Sequence, residues 1–396
     1  VATATSAPSN KDNNGSTGKT ELPLGVYLVK ETETPENYVA SKPFIVSVPS
    51  TNNYDKNNTG FPLEVTVNGE KKKIDANGNI TTVKLESVAD SKTKGTVFND
   101  TTTLEDTYGN QVKIPKGFKI ANDSATDVTG GIVIEDATYT NTIGSQFVWI
   151  PVGTITKSDG TTATITLGRY DFDSTTGVES AYSGSYVEED SNDSSTLKKY
   201  GNTIAKNITD FKNSVAKNGG YYIGRYEART ATARNAAGNA LTQITEKGTE
   251  NVYNYVTQLQ AAQLSQNMYN SDKFTSDLMN SYAWDTAIVF IQKCGTENNR
   301  STYSYTLGES STSTSAPQTT GTNILKATSK VDKQCNIFDM AGNCSEWTTE
   351  TCSLSDYPCV SRGGLYCISN AYTSTRCGNI TSNAGSGGSF RPLLYL

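Results

Sequence analysis

The sequence predicts an α+β chain, with an all-β segment at the N-terminus and a larger mixed domain behind it. Three observations predict it. Short β-rich runs (Val26-Tyr27-Leu28-Val29, Phe44-Ile45-Val46-Ser47-Val48 and Leu63-Glu64-Val65-Thr66-Val67) are separated by Pro35, Asn37 and Pro43 in the first part of the chain. Helical spacing of apolar residues appears only later, over 204–217, 257–269 and 281–293. All three tryptophans, at 149, 284 and 347, also lie in the later part, which places the main core there.

Bulk composition narrows the function classes. A chain of 396 residues has room for two or three domains with their own cores. Its hydrophobic content of 35% and charge content of 19% are low, as in proteins rich in strands and loops. A net charge of −6 and the lack of a basic stripe speak against a nucleic-acid partner, since Lys71 to Lys73 is only a short solvated cluster. No stretch approaches the ~20 apolar residues of a membrane-spanning helix, so membrane insertion is not expected. The chain begins at Val1 without an initiating Met or signal sequence, as expected of a mature or trimmed form.

Histidine is absent. That removes Ser-His and Cys-His nucleophile pairs, His-liganded zinc and imidazole bases. The seven cysteines, at 294, 335, 344, 352, 359, 367 and 377, form no CxxC pair, so a zinc ribbon is not expected. They read either as disulfide partners with one thiol left over or as small buried hydrophobes.

In chain order, residues 1–21 are polar and read as a flexible leader. Residues 22–103 read as the β-domain, with Asn68-Gly69 as a two-residue hairpin turn before Lys71 to Ile74. Within it, Leu22-Pro23-Leu24-Gly25-Val26-Tyr27-Leu28-Val29-Lys30-Glu31-Thr32 and Pro43-Phe44-Ile45-Val46-Ser47-Val48-Pro49 resemble the pilin-type immunoglobulin-like domains of Gram-positive surface proteins. The resemblance implies that Glu31 promotes a Lys–Asn isopeptide bond; a plain β-spacer is the other reading.

The second domain is expected over 104–396. Tyr108-Gly109-Asn110 is a turn, and strands follow at Val112–Pro115, Gly117–Ile120, Gly131–Asp136 and Gln146–Val152. A helix over 204–217 carries Ile204, Ile208, Phe211 and Val215 and stops at Gly219-Gly220, before a strand at Tyr221–Glu227. A second helical stretch covers 257–269. A third runs from Ser281 through Trp284, Ile288 and Ile291 to Lys293, with Gly295 as its stop. Residues 309–321, dense in Ser and Thr, read as a loop.

Six ordered motifs carry a second resemblance. They are Phe147-Val148-Trp149-Ile150-Pro151, Gly220–Glu227, Ser281-Tyr282-Ala283-Trp284-Asp285, Asp339-Met340-Ala341-Gly342-Asn343 with Glu346-Trp347, Arg362-Gly363-Gly364, and Phe390-Arg391. Together they are similar to the formylglycine-generating-enzyme type of C-type-lectin-like domain. The resemblance implies irregular twisted sheets with two main helices, and no cofactor beyond a structural calcium for which Asn343 and Glu346 are the candidate ligands. The family's catalysts use two cysteines five residues apart after Arg-Gly-Gly; here Cys367 and Cys377 are ten apart, so no catalytic residue is assigned.

Other members of this family are non-enzymatic receptors, some of them diversified by diversity-generating retroelements, with variation between Arg-Gly-Gly and the terminal Phe-Arg. Randomised AAC codons cannot encode Lys, Met, Gln, Glu or Trp. Residues 365–389 contain none of the five, although these types make up 61 of the 396 residues. An ordinary Gly/Ser loop would also lack them. Apolar and aromatic residues among Ser, Thr and Asn fit a binding surface, where Tyr offers rigid contact area and small polar residues adapt. Within the variable region 361–396, the expected ligand-binding residues are Leu365, Tyr366, Cys367, Ile368, Asn370, Tyr372, Thr373, Thr375, Cys377, Asn379 and Ile380. Leu365, Ile368 and Ile380 as core residues of a terminal sheet is the alternative.

The expected function is a non-enzymatic, surface-displayed receptor or adhesin, extracellular and associated with a cell surface, pilus or phage. Its expected partner is a protein or carbohydrate ligand on another cell or phage surface, with pilus subunits as further partners. A formylglycine-type cysteine oxidase and a purely structural pilus subunit are the alternatives.

Overall fold

The computed structural model describes residues 85–90, 93–188, 207–238, 242–295, 300–310, 330–352, 356–368 and 370–396, together with the strand backbones of 25–29, 44–48, 63–67, 70–74, 80–82 and 323–325. The leader 1–21, Glu31, the Asn68-Gly69 turn and most of the 309–321 loop lie outside the described residues. The chain divides into two compact units, Val1–Leu85 and Glu86–Leu396.

In the first unit the β-rich runs form strands where the pattern places them. Gly25–Val29 pairs antiparallel with Phe44–Val48. Leu63–Val67 pairs antiparallel with Glu70–Ile74, with Val67 opposite Glu70, and Ile80–Thr82 adds a third strand. Only two residues join the first pair of that sheet, the spacing of a tight hairpin.

Residues 86–103, expected to end the first domain, pack instead with the second. Glu86–Ser87 pairs in parallel with Thr102–Glu105, and Val88 and Phe98 are buried in the core of the second unit. Apolar burial outweighs the local composition that ties these residues to the preceding strands. The Tyr108-Gly109-Asn110 turn forms as expected around Asp106, whose carboxylate accepts from the backbone N–H groups of Tyr108, Asn110 and Val128 at 2.8 Å each.

The second unit is β-rich, with three α-helices among its described residues. Its strands used below are Phe118–Ile120 (β1), Val133–Asp136 (β2), Gln146–Pro151 (β3), Tyr186–Val187 (β4), Gly220–Gly224 (β5), Thr275–Leu278 (β6), Ser345–Cys352 (β7), Cys359–Arg362 (β8), Arg376–Asn379 (β9), Gly388–Phe390 (β10) and Pro392–Tyr395 (β11). A six-stranded sheet has the order β6-β11-β5-β3-β2-β1. Its central strand β5 is buried along its whole length, which is why Gly-Tyr-Tyr-Ile-Gly lacks in-out alternation. A second sheet runs β4-β7-β8-β9, with β10 added in parallel to β7.

Helix α1 spans Ile208–Asn218, capped by the Asn207 side chain and ended by Gly219 in the left-handed conformation (φ 75°). Phe211 packs edge-on against Tyr221 and Tyr395, fixing α1 to β5 and β11. Helix α2, Gln258–Gln266, begins with a capping box between Thr257 and Gln260. Helix α3, Ser281–Cys294, is buried on nearly all sides, from Ala283 and Trp284 to Ile291. Each fully buried Ile or Phe of this kind contributes about 1.5–3 kcal/mol. Gly295 ends α3 in extended backbone, where a Cβ would meet the Ile291 carbonyl oxygen at 2.8 Å.

Candidate functional site

The C-terminal segment leaves β8 through Arg362, Gly363 and Gly364. Gly363 has φ 79°, and a Cβ at Gly364 would lie 2.2 Å from the Ala341 carbonyl oxygen. The double glycine is therefore required by close backbone passage against the 340–341 segment. At the far end, Phe390 packs edge-on against Tyr253, and Leu393 and Leu394 are buried in the first sheet. Both ends of the segment are fixed in the core.

Between these anchors the segment is not one loop. Cys367, Asn370 and Cys377 are exposed, as are Ile368 (44%) and Ile380 (48%). The alternative that Ile368 and Ile380 are core residues is therefore corrected: both face outward. Leu365, Tyr366, Tyr372, Thr375 and Asn379 are half-buried. The Leu365 side chain lies against Gly387, and the Tyr366 hydroxyl is 3.1 Å from Ser386 Oγ. Tyr372 packs against Tyr305 at 5.2 Å, while Thr375 Oγ1 accepts from the Tyr372 N–H and closes the turn. Asn379 Nδ2 donates to Ser361 Oγ at 3.0 Å, and its Oδ1 accepts from Asn383 Nδ2.

Thr373, expected to bind ligand, is wholly buried. Its carbonyl accepts from Trp284 Nε1 at 3.0 Å, and its hydroxyl donates to the Thr306 carbonyl. It is a staple in the middle of the segment. After it, β9 forms the outer edge of the second sheet, with Cys377 opposite Ser361.

Arg376 is a second internal support that the sequence reading missed. Its guanidinium pairs with Asp285 and Glu350 and lies 4.0 Å over the Tyr182 ring. Arg362 pairs with the same two carboxylates, and Arg169 with Glu350. Burial alone would raise Glu350, but the Arg362, Arg376 and Arg169 guanidiniums outweigh it and hold the carboxyl below its usual value. The available signal was that Arg376 is the one charged residue in 365–389.

The C-terminal anchor is built differently. Arg391 donates to both Glu346 oxygens (2.6 and 3.1 Å) and to the Gly224 and Phe338 carbonyls (both 2.9 Å). Around this pair lie buried Glu227, Glu246 and Asp339, with Arg229 3.8 Å from Glu227 and Asp339. Carboxylates outnumber guanidiniums here. Burial pushes Glu227 up to about 7 and Glu246 and Asp339 well above their ordinary values.

Asn343 and Glu346 do not fit a calcium ion. Arg391 already presents a positive group to both Glu346 oxygens, and Asn343 Nδ2 donates to Glu227 at 2.6 Å. No group of three or more Cys, Asp or Glu side chains is arranged to hold a metal among the described residues.

The two anchors set opposite pH limits. Glu227 has a folded value above its unfolded reference of roughly 4.3. Its contribution is full below that reference and declines as pH rises through about 7. Glu350 is lowered, so its contribution is present above the unfolded value and is lost as pH falls through the folded one. Thermal unfolding followed from pH 3 to pH 9 is expected to give a Tm maximum between these limits. A Tm that climbs steadily to pH 9 would contradict the buried acid cluster.

Residues 3–60 match the family of the SpaA prealbumin-like fold domain, a match that includes most of the stretch read as a leader. No curated protein matches the chain. Among solved structures it is similar to Treponema denticola variable protein 1, with a TM-score of 0.34 and 12% identity over 64% of this chain and 96% of that one. It is also similar to CarF, known from a crystal structure, with a TM-score of 0.26 and 16% identity over 36% of this chain and 66% of that one. The family match falls in the N-terminal part, and the candidate surface within 361–396 lies outside it.

Proposed function

We propose that the second unit is a C-type-lectin-like frame of the formylglycine-generating-enzyme type that has become a receptor. It is a non-enzymatic, surface-displayed binding protein, carried on a pilin-like β-domain, and its C-terminal surface is diversified by a retroelement to bind a macromolecular ligand. The observation that carries the reading is the placement of Cys367, Ile368, Asn370, Cys377 and Ile380. These exposed side chains stand on a segment fixed at both ends and stapled in the middle by Thr373 and Arg376. Pre-ordering of this kind lowers the entropy lost on binding. Exposed apolar groups on such a frame suit recognition better than packing.

The reading separates the exposed positions from the staples by their tolerance to change. Ile368→Asp and Ile380→Asp are expected to alter unfolding free energy by no more than about 0.5 kcal/mol. Thr373→Val, which keeps the shape and deletes a buried hydroxyl bond, is expected to cost about 1 kcal/mol. Urea denaturation measures both. At the source locus, a template repeat differing from the 361–396 coding region only at adenines, with substitutions at the exposed codons, is the expected genetic signature. Variation spread evenly through Thr373, Arg376 and the exposed positions would sink the reading. Cysteine-to-formylglycine conversion of a substrate peptide, sought by mass spectrometry, is expected to be absent.

A further inference from the structure

Tyr255 has φ 53°. Left-handed backbone is uncommon for a bulky side chain, and it persists only where the surroundings impose it. They do so here from several sides. The Tyr255 N–H donates to the Gly385 carbonyl at 3.2 Å, and Arg234 donates to the carbonyls of Asn254 (2.8 Å) and Tyr255 (3.2 Å). Asn254 Nδ2 donates to the Ser386 carbonyl at 2.9 Å, Ser389 Oγ to the Tyr253 carbonyl, and Trp347 Nε1 to the Val256 carbonyl. The strained tyrosine is thus bonded to the loop end that also meets Tyr366 through Ser386. Its side chain is half-buried, not packed into the core.

We propose that Tyr255 is a fixed ligand contact, an unvarying aromatic edge beside the displayed segment, and that the partner is an uncharged, apolar polypeptide surface. The inference rests on the receptor reading above and deepens it. Two observations select the partner. Residues 365–389 contain no acid and no lysine, and their single arginine is paired inward with Asp285 and Glu350. Exposed aliphatic groups, Ile368 and Ile380, accompany the tyrosines, and apolar side chains of this type complement a protein patch. A rigid tyrosine adds contact area at little entropic cost, so a constant one can serve ligands that differ at the varied positions.

The test uses a phage-displayed random peptide library as the probe and the full chain as the immobilised target. Tyr255→Gly accepts the positive φ without strain, so its Tm is expected to equal or exceed that of the wild type. Its phage recovery is expected to fall about tenfold or more, the change produced by losing an aromatic hot-spot contact. Tyr255→Phe is expected to keep most of the recovery. Equal recovery by the wild type and Tyr255→Gly, with Ile368→Asp/Ile380→Asp reducing it, overturns this inference and leaves the receptor reading standing. A Tm several degrees lower for Tyr255→Gly also overturns it, because the ring would then be a packing element. Full recovery by the Ile368→Asp/Ile380→Asp double variant, or no enrichment over bare support, overturns the receptor reading and this inference with it. Capture of neutral glycans on an array, with peptides at background, overturns the polypeptide partner.

Discussion

Replacing Arg391 with Ala is expected to lower the unfolding free energy by about 3–5 kcal/mol, the usual cost of leaving a buried charge without its partner. Glu346 would lose both of its guanidinium bonds, and the Gly224 and Phe338 carbonyls would lose their donor. The surrounding groups make the site less forgiving. Glu227, Glu246 and Asp339 are buried nearby, and Arg229 would remain paired with Glu227 and Asp339. Part of the loss is recovered on acidification, because Glu346 and Glu227 already have raised values and a proton removes the unpaired charge. Urea denaturation at pH 5.5 and pH 8 should therefore show the larger penalty at pH 8. Arg391→Lys is expected to rescue little, since one ammonium cannot reproduce a fork that reaches a carboxylate and two carbonyls. A penalty below about 1 kcal/mol at pH 8 would contradict the burial of this pair.

Arg362→Ala is expected to cost up to about 3–5 kcal/mol, because it removes the fully buried guanidinium that pairs with both Asp285 and Glu350 and leaves them to the less buried Arg376 and Arg169. Here the pH trend reverses in origin. Arg362, Arg376 and Arg169 overcome the burial of Glu350 and hold its carboxyl below the usual value, so removing Arg362 raises it. Arg376→Ala should cost less, because Arg362 still bonds both carboxylates and the Arg376 side chain is slightly less buried (8% exposed against 0% for Arg362). Arg362 also donates to the carbonyls of Thr375 and Ser374. Hydrogen exchange should therefore accelerate over 374–379 in the Arg362→Ala protein, while α1 stays protected. Unchanged exchange there would mean that Thr373 alone fixes the middle of the segment.

Much of the architecture was legible in the chain itself. The β-rich runs before residue 75 form paired strands, and the three helices begin beside Asn207, Thr257 and Asn280, whose short polar side chains cap them. The three tryptophans are buried. Such features depend on local chemistry, so periodicity and capping residues reveal them. The extent of the first unit was not legible, because the parallel pairing of Glu86–Ser87 with Thr102–Glu105 follows from core burial and carries no turn signal.

For the C-terminal segment, sequence alone determined its ends: the double glycine, Phe390 and the absence of Lys, Asp and Glu between them. Tertiary structure decided which side chains face outward. Thr373 and Ile380 have similar polar neighbours in sequence, yet one is bonded to Thr306 and Trp284 while the other is exposed. Arg376, which no local pattern singles out, is a buried strut because Asp285 on α3 and Glu350 on β7 meet it in space. Residue type fixes what a group can bond to, whereas its neighbours in space, set by long-range packing, fix whether that bond is made inside or left for a ligand.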